Sequence, residues 1–195
     1  MSSLIDRTLE TWIRHKSRQE ALIAVFNHVR DIPYGVWPEL NPPQHYECIL
    51  ERGAGSCTPK HLLLAEMARR LGWEVLLVVY PYRWDEFAAL YPPRLQRLAR
   101  TMPAVNHLAC RVLIKGRYVL VDATIDPPLG RIGLPVNEDW DGESDTGLPV
   151  LPLAEEEIYH PLEARLMPPP RLSESERAFY QGLNAYLERV RKGEP

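Results

Sequence analysis

The chain has 195 residues, of which 45% are hydrophobic and 25% are charged, and its formal net charge at pH 7 is -3. This composition is typical of a globular protein with its own hydrophobic core, and it lacks the basic surface that a nucleic-acid partner requires. No apolar stretch approaches the roughly 18 residues of a membrane span, and the charged N-terminus contains no signal-peptide core. We therefore expect no nucleic acid and no membrane among the partners.

The cysteine content bears on the redox environment. The chain contains three cysteines, Cys48, Cys57 and Cys110, and no C-x-x-C motif. An odd number of cysteines without that motif argues against a disulfide framework and predicts a reducing, cytoplasmic location. The length and the 19 prolines, which concentrate in connecting segments, predict a single domain over residues 1–195 with long, stiff loops.

The spacing of apolar residues and the helix stop signals predict the elements in chain order. Helices are expected at 3–15, 18–30, 56–71, 84–90, 93–100 and 173–192, with a short helix or turn at 45–51. The apolar run WEVLLVVYPY at 73–82 predicts a buried central strand. Ser173 and Glu176 have the spacing of a capping box at the start of the last helix. Residues 126–170, rich in proline, glycine and acidic residues, are expected to form loop with brief strand pieces.

The segment NHLACRVLIKGRYVLVDAT, residues 106–124, is the strongest hairpin signal in the chain. Two strands rich in branched residues flank a two-residue turn at 115–116. In that register Asp122 lies opposite Ala109, and His107 lies diagonal to Asp122 on the same face. Helices segregated from an antiparallel sheet predict an α+β fold.

Cys57 lies where a glycine-rich loop turns into the predicted helix at 56–71. Pro59 lacks an N–H and is tolerated only in a first turn, so the helix begins close to Cys57. The helix dipole at that end lowers a thiol pKa, and the Cys57 N–H can serve as an oxyanion donor. Gly53 and Gly55 leave room for a substrate. The alternative is that Cys57 is a small residue that fills the end of the helix.

A base and an orienting carboxylate complete the candidate site. An imidazole that is held by a carboxylate and faces a thiol is the arrangement used in cysteine catalysis. His107 and Asp122 supply such a pair for Cys57 in the expected register. The alternative is that His107 only begins a strand and Asp122 ends one as a turn residue.

These segments resemble the transglutaminase-like superfamily. The resemblance rests on GSCTPKHLLLAEMARRLGWEV, with G-x-C at a helix start and R-x-L-G at its end, and on the N-H and V-D-A-T of the hairpin segment. The preceding FNHVRDIPYG is similar to the helix and turn before the core of that family. Arylamine N-acetyltransferases share the order of the triad, but RGAGSC does not match their R-G-G-x-C. C-T-P-K-H is closer to uncharacterised bacterial members than to the protein-crosslinking enzymes.

The resemblance covers about residues 20–125. It implies a papain/transglutaminase-like core, in which the nucleophile helix packs on an antiparallel β-sheet and extra helices lie at the N- and C-termini. It also implies that Cys57 is the nucleophile, His107 the base and Asp122 the orienter. The proline-rich segment and the C-terminal helix, residues 126–195, lie outside the resemblance.

Several other residues are candidates near the nucleophile or the base. The substrate or oxyanion candidates are Ser56, Trp37, Lys60, His61 and Asn106. His61 lies four residues after Cys57, so Cys57, His61 and His107 form an alternative zinc site; otherwise His61 packs behind the nucleophile or lines the pocket. Lys60 either holds a thiolate or an anionic substrate or is solvated, and Trp37 either lines an acyl pocket or packs in the core.

The remaining cysteines and Asn106 have simpler interpretations. By strand alternation Cys110 falls on the opposite face from His107 and is predicted to be a core residue. A redox pair of Cys48 with Cys57 is the less favoured alternative to three free thiols. Asn106 is expected to satisfy backbone groups at the start of its strand.

Together these observations predict cysteine-dependent acyl transfer or amide hydrolysis through a thioester on Cys57, acting on a peptide, a protein or a small amide or amine substrate. No cofactor is implied. The first alternative is a catalytically silent module of the same fold that binds a peptide or protein partner. The second is a metal-dependent hydrolase.

Overall fold

The computed structural model describes residues 3–38, 46–159 and 171–194 of the chain. Within these ranges the elements are α1 Leu4–Trp12, α2 Arg18–Asp31, α3 Cys48–Arg52, α4 Cys57–Arg70, β1 Val75–Tyr82, a 3-10 helix Trp84–Leu90, α5 Pro93–Ala99, β2 Val105–Ile114, β3 Arg117–Val121, a 3-10 helix Pro127–Ile132, β4 Glu157–Tyr159 and α6 Glu174–Lys192. The helices expected from periodicity are confirmed, although the piece at 84–90 is a 3-10 helix. Residues 160–170, part of the segment predicted as loop, lie outside the described residues.

Serine caps fix where three of the helices begin. α1, α2 and α6 each start with a capping box, in which the serine side chain accepts from a backbone N–H and an acidic side chain returns the bond. The box predicted at Ser173 and Glu176 is confirmed. α4 differs, because its N-cap residue Ser56 makes no side-chain capping bond. The first N–H groups of α4 are therefore not satisfied by a serine cap.

The sheet has four antiparallel strands in the order β3-β2-β1-β4. β1 lies between two strands, which confirms the prediction of a central strand at 73–82. Ile114 pairs with Arg117 and Cys110 pairs with Val121, so the hairpin has the predicted register. Asp122 follows directly after the last residue of β3, at the end of the sheet where β2 begins.

One hydrophobic cluster, the helix–sheet cluster, joins α2 and α4 to the sheet. Its largest fully buried side chains are Phe26, Leu22, Ile49, Leu63, Leu64, Met67 and Leu77. This packing of helices on an antiparallel sheet confirms the predicted α+β class. Among the residues that the structure describes, no helix is long and apolar enough to span a bilayer.

A second cluster, the aromatic cluster, joins α5, α6 and the 3-10 helix Trp84–Leu90. Its buried rings are Tyr34, Tyr82, Trp84, Tyr91, Phe179, Tyr180 and Tyr186. Tyr34 and Val36 of this cluster belong to residues 33–38, which we call the strap, between α2 and the first gap in the described chain. The candidate site lies where the two clusters meet.

Candidate active site

The nucleophile candidate occupies the first position of its helix. Cys57 is the first residue of α4 and is 8% exposed. The loop before it pairs with the strap, since the Gly55 N–H donates to the Pro33 carbonyl at 3.0 Å and the Gly35 N–H donates to the Gly55 carbonyl at 3.2 Å. A Cβ on Gly55 would lie 2.7 Å from the Cγ2 of Ile49. The close packing of this loop against α3 therefore requires a glycine at this position.

His107 joins the thiol to a carboxylate. Its Nε2 lies 2.5 Å from the Oδ2 of Asp122, and the same imidazole hydrogen-bonds the Cys57 thiol. Because Nε2 is engaged by the carboxylate, Nδ1 is the nitrogen that faces the sulfur. The backbone N–H of Leu108 also donates to the Cys57 sulfur. The structure thus brings together the three residues that the sequence predicted as a triad.

The protonation states of these residues follow from their contacts. Burial raises the pKa of the Cys57 thiol. The hydrogen bond and charge of His107, together with the Leu108 N–H, lower it by more than burial raises it, so the net pKa lies below its ordinary value. Burial lowers the pKa of His107, but the charge and hydrogen bond of Asp122 and the contact with Cys57 raise it to about 10. Burial raises the pKa of Asp122, but chiefly the charge of His107 lowers it to about 2. These shifts favour the thiolate, the imidazolium and the carboxylate over the neutral forms of the three groups.

Asp122 is fixed from several directions. The Thr124 N–H donates to its Oδ1 at 2.9 Å. Its own N–H donates to the Oγ1 of Thr146 at 2.8 Å, and its carbonyl accepts from the Asn137 side chain at 2.9 Å. Asn137 and Thr146 belong to the proline-rich segment, so that segment supports the orienting carboxylate from outside the hairpin.

His61 lies behind the nucleophile, as one of its predicted interpretations states. Its Nδ1 donates to the Cys57 carbonyl at 2.9 Å, and its Nε2 accepts from the Ala123 N–H at 2.9 Å. Burial lowers the pKa of His61 to about 4, so the ring is neutral. Both ring nitrogens are engaged, which leaves neither for a metal. No group of side chains with metal-binding geometry occurs among the described residues.

Lys60 is not solvated, and that interpretation was wrong. The side chain is fully buried, and its Nζ donates to the carbonyls of Arg30 at 2.9 Å, Ile32 at 2.8 Å and Thr124 at 2.6 Å. Because an ammonium has three donors, none remains for a thiolate or an anionic substrate. Burial lowers the pKa of Lys60 to about 7. Lys60 ties the end of α2 and the segment after β3 to the nucleophile helix.

The other candidates lie at the edges of the site. Trp37 packs against the helix–sheet cluster, and the Arg52 guanidinium lies 4.1 Å from its ring centroid. Asn106 is exposed and pairs with Pro81 in the sheet. Ser56 is buried at the N-cap of α4. Ser56 and Asn106 adjoin Cys57 and His107 in sequence, but none of the contacts described above joins these three residues to the reacting groups of the triad.

The remaining cysteines are free thiols, as is Cys57. Cys110 is fully buried in the helix–sheet cluster, which confirms the core prediction, and its S–H donates to the His61 carbonyl at 3.4 Å. Burial raises the pKa of Cys110, which makes this thiol unreactive. Cys48 is partly buried at the start of α3 and forms no disulfide with Cys57.

A cavity of about 30 Å³ adjoins His107. Its aromatic walls are Tyr34, Tyr82, Trp84, Phe87 and Tyr91. The proline-rich segment contributes Pro149 and Val150, and α6 contributes Leu183 and Leu187. Among the described residues, His107 is the only charged side chain that lines the cavity. The site therefore presents a small, uncharged space to whatever approaches the imidazole.

Tyr34, Asp126 and Arg191 form a buried network that the sequence analysis missed. Arg191 of α6 donates to both carboxylate oxygens of Asp126 at 2.7 Å and to the Tyr34 carbonyl at 2.6 Å. The Tyr34 N–H donates to the Oδ1 of Asp126 at 2.7 Å. Tyr34 and Arg191 are 157 positions apart, and no local spacing signals such a contact. The network fixes the strap against α6 beside the triad.

No protein-family model matches the chain, and no curated protein matches it. Two solved structures resemble it. One, a candidate cysteine protease from Cytophaga hutchinsonii, has 15% identity and a TM-score of 0.44, covering 65% of this chain and 38% of that chain. The other, a candidate protease from Parabacteroides distasonis, has 12% identity and a TM-score of 0.42, covering 62% of this chain and 23% of that chain. The chain spans less than half the length of either, and likeness at this distance does not establish a shared reaction.

Proposed function

We propose that the protein is a cysteine enzyme with a papain/transglutaminase-like core that transfers or hydrolyses an acyl group through a thioester on Cys57. The observation that carries the proposal is the position of His107, which contacts the Cys57 thiol and lies 2.5 Å from Asp122. A pKa lowered on the thiol and raised on the imidazole supplies both a nucleophile and a proton donor at neutral pH.

In the first half-reaction the Cys57 thiolate attacks the carbonyl carbon of an amide, and the carbonyl π electrons move onto the oxygen. When this oxyanion collapses, the C–N bond breaks and His107 gives its Nδ1 proton to the leaving amine. In the second half-reaction neutral His107 takes a proton from water or an amine, which attacks the thioester carbon. The C–S bond breaks, and the thiolate and imidazolium are restored.

The substrates of this proposal are a peptide, a protein or a small amide, and the acceptor is water or an amine. The uncharged walls of the cavity beside His107 favour a neutral group at that position. The proposal includes a cytoplasmic location, which the three free thiols support.

A second candidate is a catalytically silent module that binds a peptide or a protein partner. It is favoured by the low exposure of the triad, since Cys57 is 8% exposed, His107 is 2% exposed and Asp122 is 1% exposed. In this alternative the fold is retained and the cleft holds a partner without reacting.

Thiol labelling separates the two candidates. Iodoacetamide at pH 6, followed by peptide mass analysis, should label Cys57 well before Cys48 or Cys110, because only a thiol of lowered pKa is ionised at that pH. Equal labelling of the three cysteines would favour the binding module. The Cys57→Ala variant is the control for the assignment.

Acyl adducts test the chemistry itself. Intact-mass analysis of the wild type with a library of activated esters and amides should show one acyl group per chain, lost on the Cys57→Ala substitution. Adducts that persist in the variant would place the nucleophile elsewhere.

A further inference from the structure

Tyr34 is held against the nucleophile loop by its backbone. The residue forms a parallel bridge with Gly55, two positions before Cys57. Its N–H donates to Asp126 and its carbonyl accepts from Arg191. Asp126 is 2% exposed and the Arg191 side chain is 14% exposed, so these bonds are shielded from water. The position of Tyr34 relative to Cys57 is therefore fixed before any substrate binds.

The Tyr34 side chain is buried, yet its hydroxyl is uncommitted. The residue is 8% exposed and lines the cavity that adjoins His107. Its backbone groups are bonded, but its hydroxyl has no hydrogen-bond partner among the described residues. Burial, and after it the charge of the Cys57 thiolate, raise the pKa of Tyr34 well above its ordinary value. The hydroxyl thus keeps its proton and lies within the electrostatic reach of Cys57.

We propose that the Tyr34 hydroxyl is an oxyanion donor for the tetrahedral intermediate on Cys57, together with the Cys57 backbone N–H. The inference rests on the acyl-transfer function proposed above. A donor that is fixed in place before the reaction stabilises developing charge without reorganisation, and the bonds to Asp126 and Arg191 provide that fixation. Asp126 and Arg191 are in this view positioning residues.

The chemical step needs no transfer of the tyrosine proton. As the bond from the Cys57 sulfur to the carbonyl carbon forms, the π electron pair moves onto the oxygen. The Tyr34 O–H and the Cys57 N–H donate hydrogen bonds to that oxygen. When the pair returns and the bond to the leaving group breaks, both donors are released unchanged.

The neighbouring tyrosines are weaker candidates. Tyr82 packs edge-on against His107 at 6.2 Å between ring centroids, and Cys57 comes later among the causes that raise its pKa than it does for Tyr34. Tyr91 lines the same cavity, but after burial the charge of Glu86, not of Cys57, raises its pKa. Tyr186 offers a matched control, because its hydroxyl donates to the Leu90 carbonyl and the residue does not line the cavity.

Two reactions of the Cys57 sulfur test whether Tyr34 is an oxyanion donor or only supports the fold. Alkylation by iodoacetamide displaces iodide at a saturated carbon and forms no oxyanion, whereas acylation by p-nitrophenyl acetate passes through one. Tyr34→Phe should slow the acylation of Cys57 about 100-fold, the loss typical for one oxyanion donor. The alkylation rate should stay unchanged, and Tyr186→Phe should leave both rates unchanged.

The outcomes distinguish this inference from the proposed function. Wild-type acylation in Tyr34→Phe, with Cys57 still reactive, would overturn the role of Tyr34 and leave the proposed function standing. An equal loss of both reactions would also overturn it, because Tyr34 would then only support the fold. If wild-type Cys57 reacts with neither reagent, the proposed function itself fails and the inference fails with it. Circular dichroism of both variants checks that they fold.

Discussion

Two buried histidines lie on either side of Asp122, His61 on the helix side and His107 on the strand side. Their ring centroids are 6.1 Å apart. The Nε2 of His107 is 2.5 Å from one carboxylate oxygen, and the Nε2 of His61 is 3.8 Å from the other. The pKa of His107 is raised to about 10 and that of His61 is lowered to about 4. The same carboxylate therefore has one charged and one neutral imidazole beside it.

The difference in pKa comes from the groups that the ring nitrogens of each histidine contact. The Nε2 of His61 accepts from the Ala123 N–H, so it cannot carry a proton without losing that bond. The Nε2 of His107 meets the carboxylate directly, and its other nitrogen meets a thiol that can give up its proton. Burial lowers the pKa of both rings and the charge of Asp122 raises it, but only His107 adds a hydrogen bond to Asp122 and a contact with Cys57.

The largest expected effect comes from removing the charged ring. In His107→Gln, burial is left to raise the Cys57 pKa without the imidazolium that lowered it. Iodoacetamide labelling of Cys57 at pH 6 should fall about 100-fold, since below its pKa the thiolate fraction drops tenfold per unit. The difference from the wild type should shrink as the pH approaches 10. Mass analysis of Cys57 labelling against time gives both rates.

His28→Gln is the matched control for that variant. His28 is an exposed histidine on α2 that stacks on Trp12 at 4.6 Å between ring centroids, away from the triad. Its loss should leave the labelling of Cys57 unchanged. Unchanged labelling in His107→Gln would mean that the helix start alone ionises the thiol.

The second-largest expected effect comes from removing the neutral ring of His61. In His61→Leu the Cys57 carbonyl and the Ala123 N–H lose their partner in a buried site. The free energy of unfolding should fall by about 2 kcal/mol, the typical cost of leaving buried polar groups unpaired. His61→Gln, whose amide offers a donor and an acceptor, should recover part of the loss. Urea denaturation at pH 7 measures both.

The pH dependence of the free energy of unfolding below pH 7 gives a second test of His61. The folded pKa of His61 is about 4 and its ordinary value is 6.5, so the unfolded chain binds the extra proton between them. The wild type should therefore lose stability as the pH falls from 6.5 to 4, and His61→Gln should lack that part of the loss. Parallel curves for these two proteins would mean that His61 is not held neutral.

The register of the hairpin that carries His107 and Asp122 could be predicted from the sequence. The register follows from a two-residue turn and the period of two along a strand, and the pairs Ile114 with Arg117 and Cys110 with Val121 confirm it. The start of α4 at Cys57 follows in the same way from Pro59, which is restricted to a first turn. These are local rules, and they place the thiol, the imidazole and the carboxylate on known elements.

The contacts made across the fold could not be predicted in this way. Lys60 follows the nucleophile in sequence and has the composition of a surface residue, but it is buried because three carbonyls from two distant segments meet its ammonium. Arg191 likewise finds Asp126 65 positions away. No periodicity encodes such partners, since they depend on how the strap and α6 pack.

The smallest expected effect tests whether Cys57 and His107 form an ion pair or two neutral groups. In the folded wild type the thiolate and the imidazolium of His107 hold one proton between them. Unfolded, a thiol and a neutral imidazole also hold one between the ordinary pKa values of 6.5 and 9.0. The raised pKa of His107 stabilises the fold below pH 6.5, and that contribution is lost as the pH rises. The lowered pKa of Cys57 adds a contribution that grows over the same range, so the pair gives no slope.

Cys57→Ala removes the pH-dependent contribution of Cys57 to stability and leaves that of His107. His107 keeps a pKa raised by Asp122, so the folded variant binds one proton more than its unfolded chain above pH 6.5. Relative to the wild type, its free energy of unfolding should fall by about 1 kcal/mol from pH 7 to pH 8, because one proton corresponds to about 1.4 kcal/mol per pH unit. Urea denaturation of both proteins at each pH measures the difference. Parallel profiles would show that folded Cys57 keeps its proton, and the charge on His107 would then come from Asp122 rather than from a thiolate.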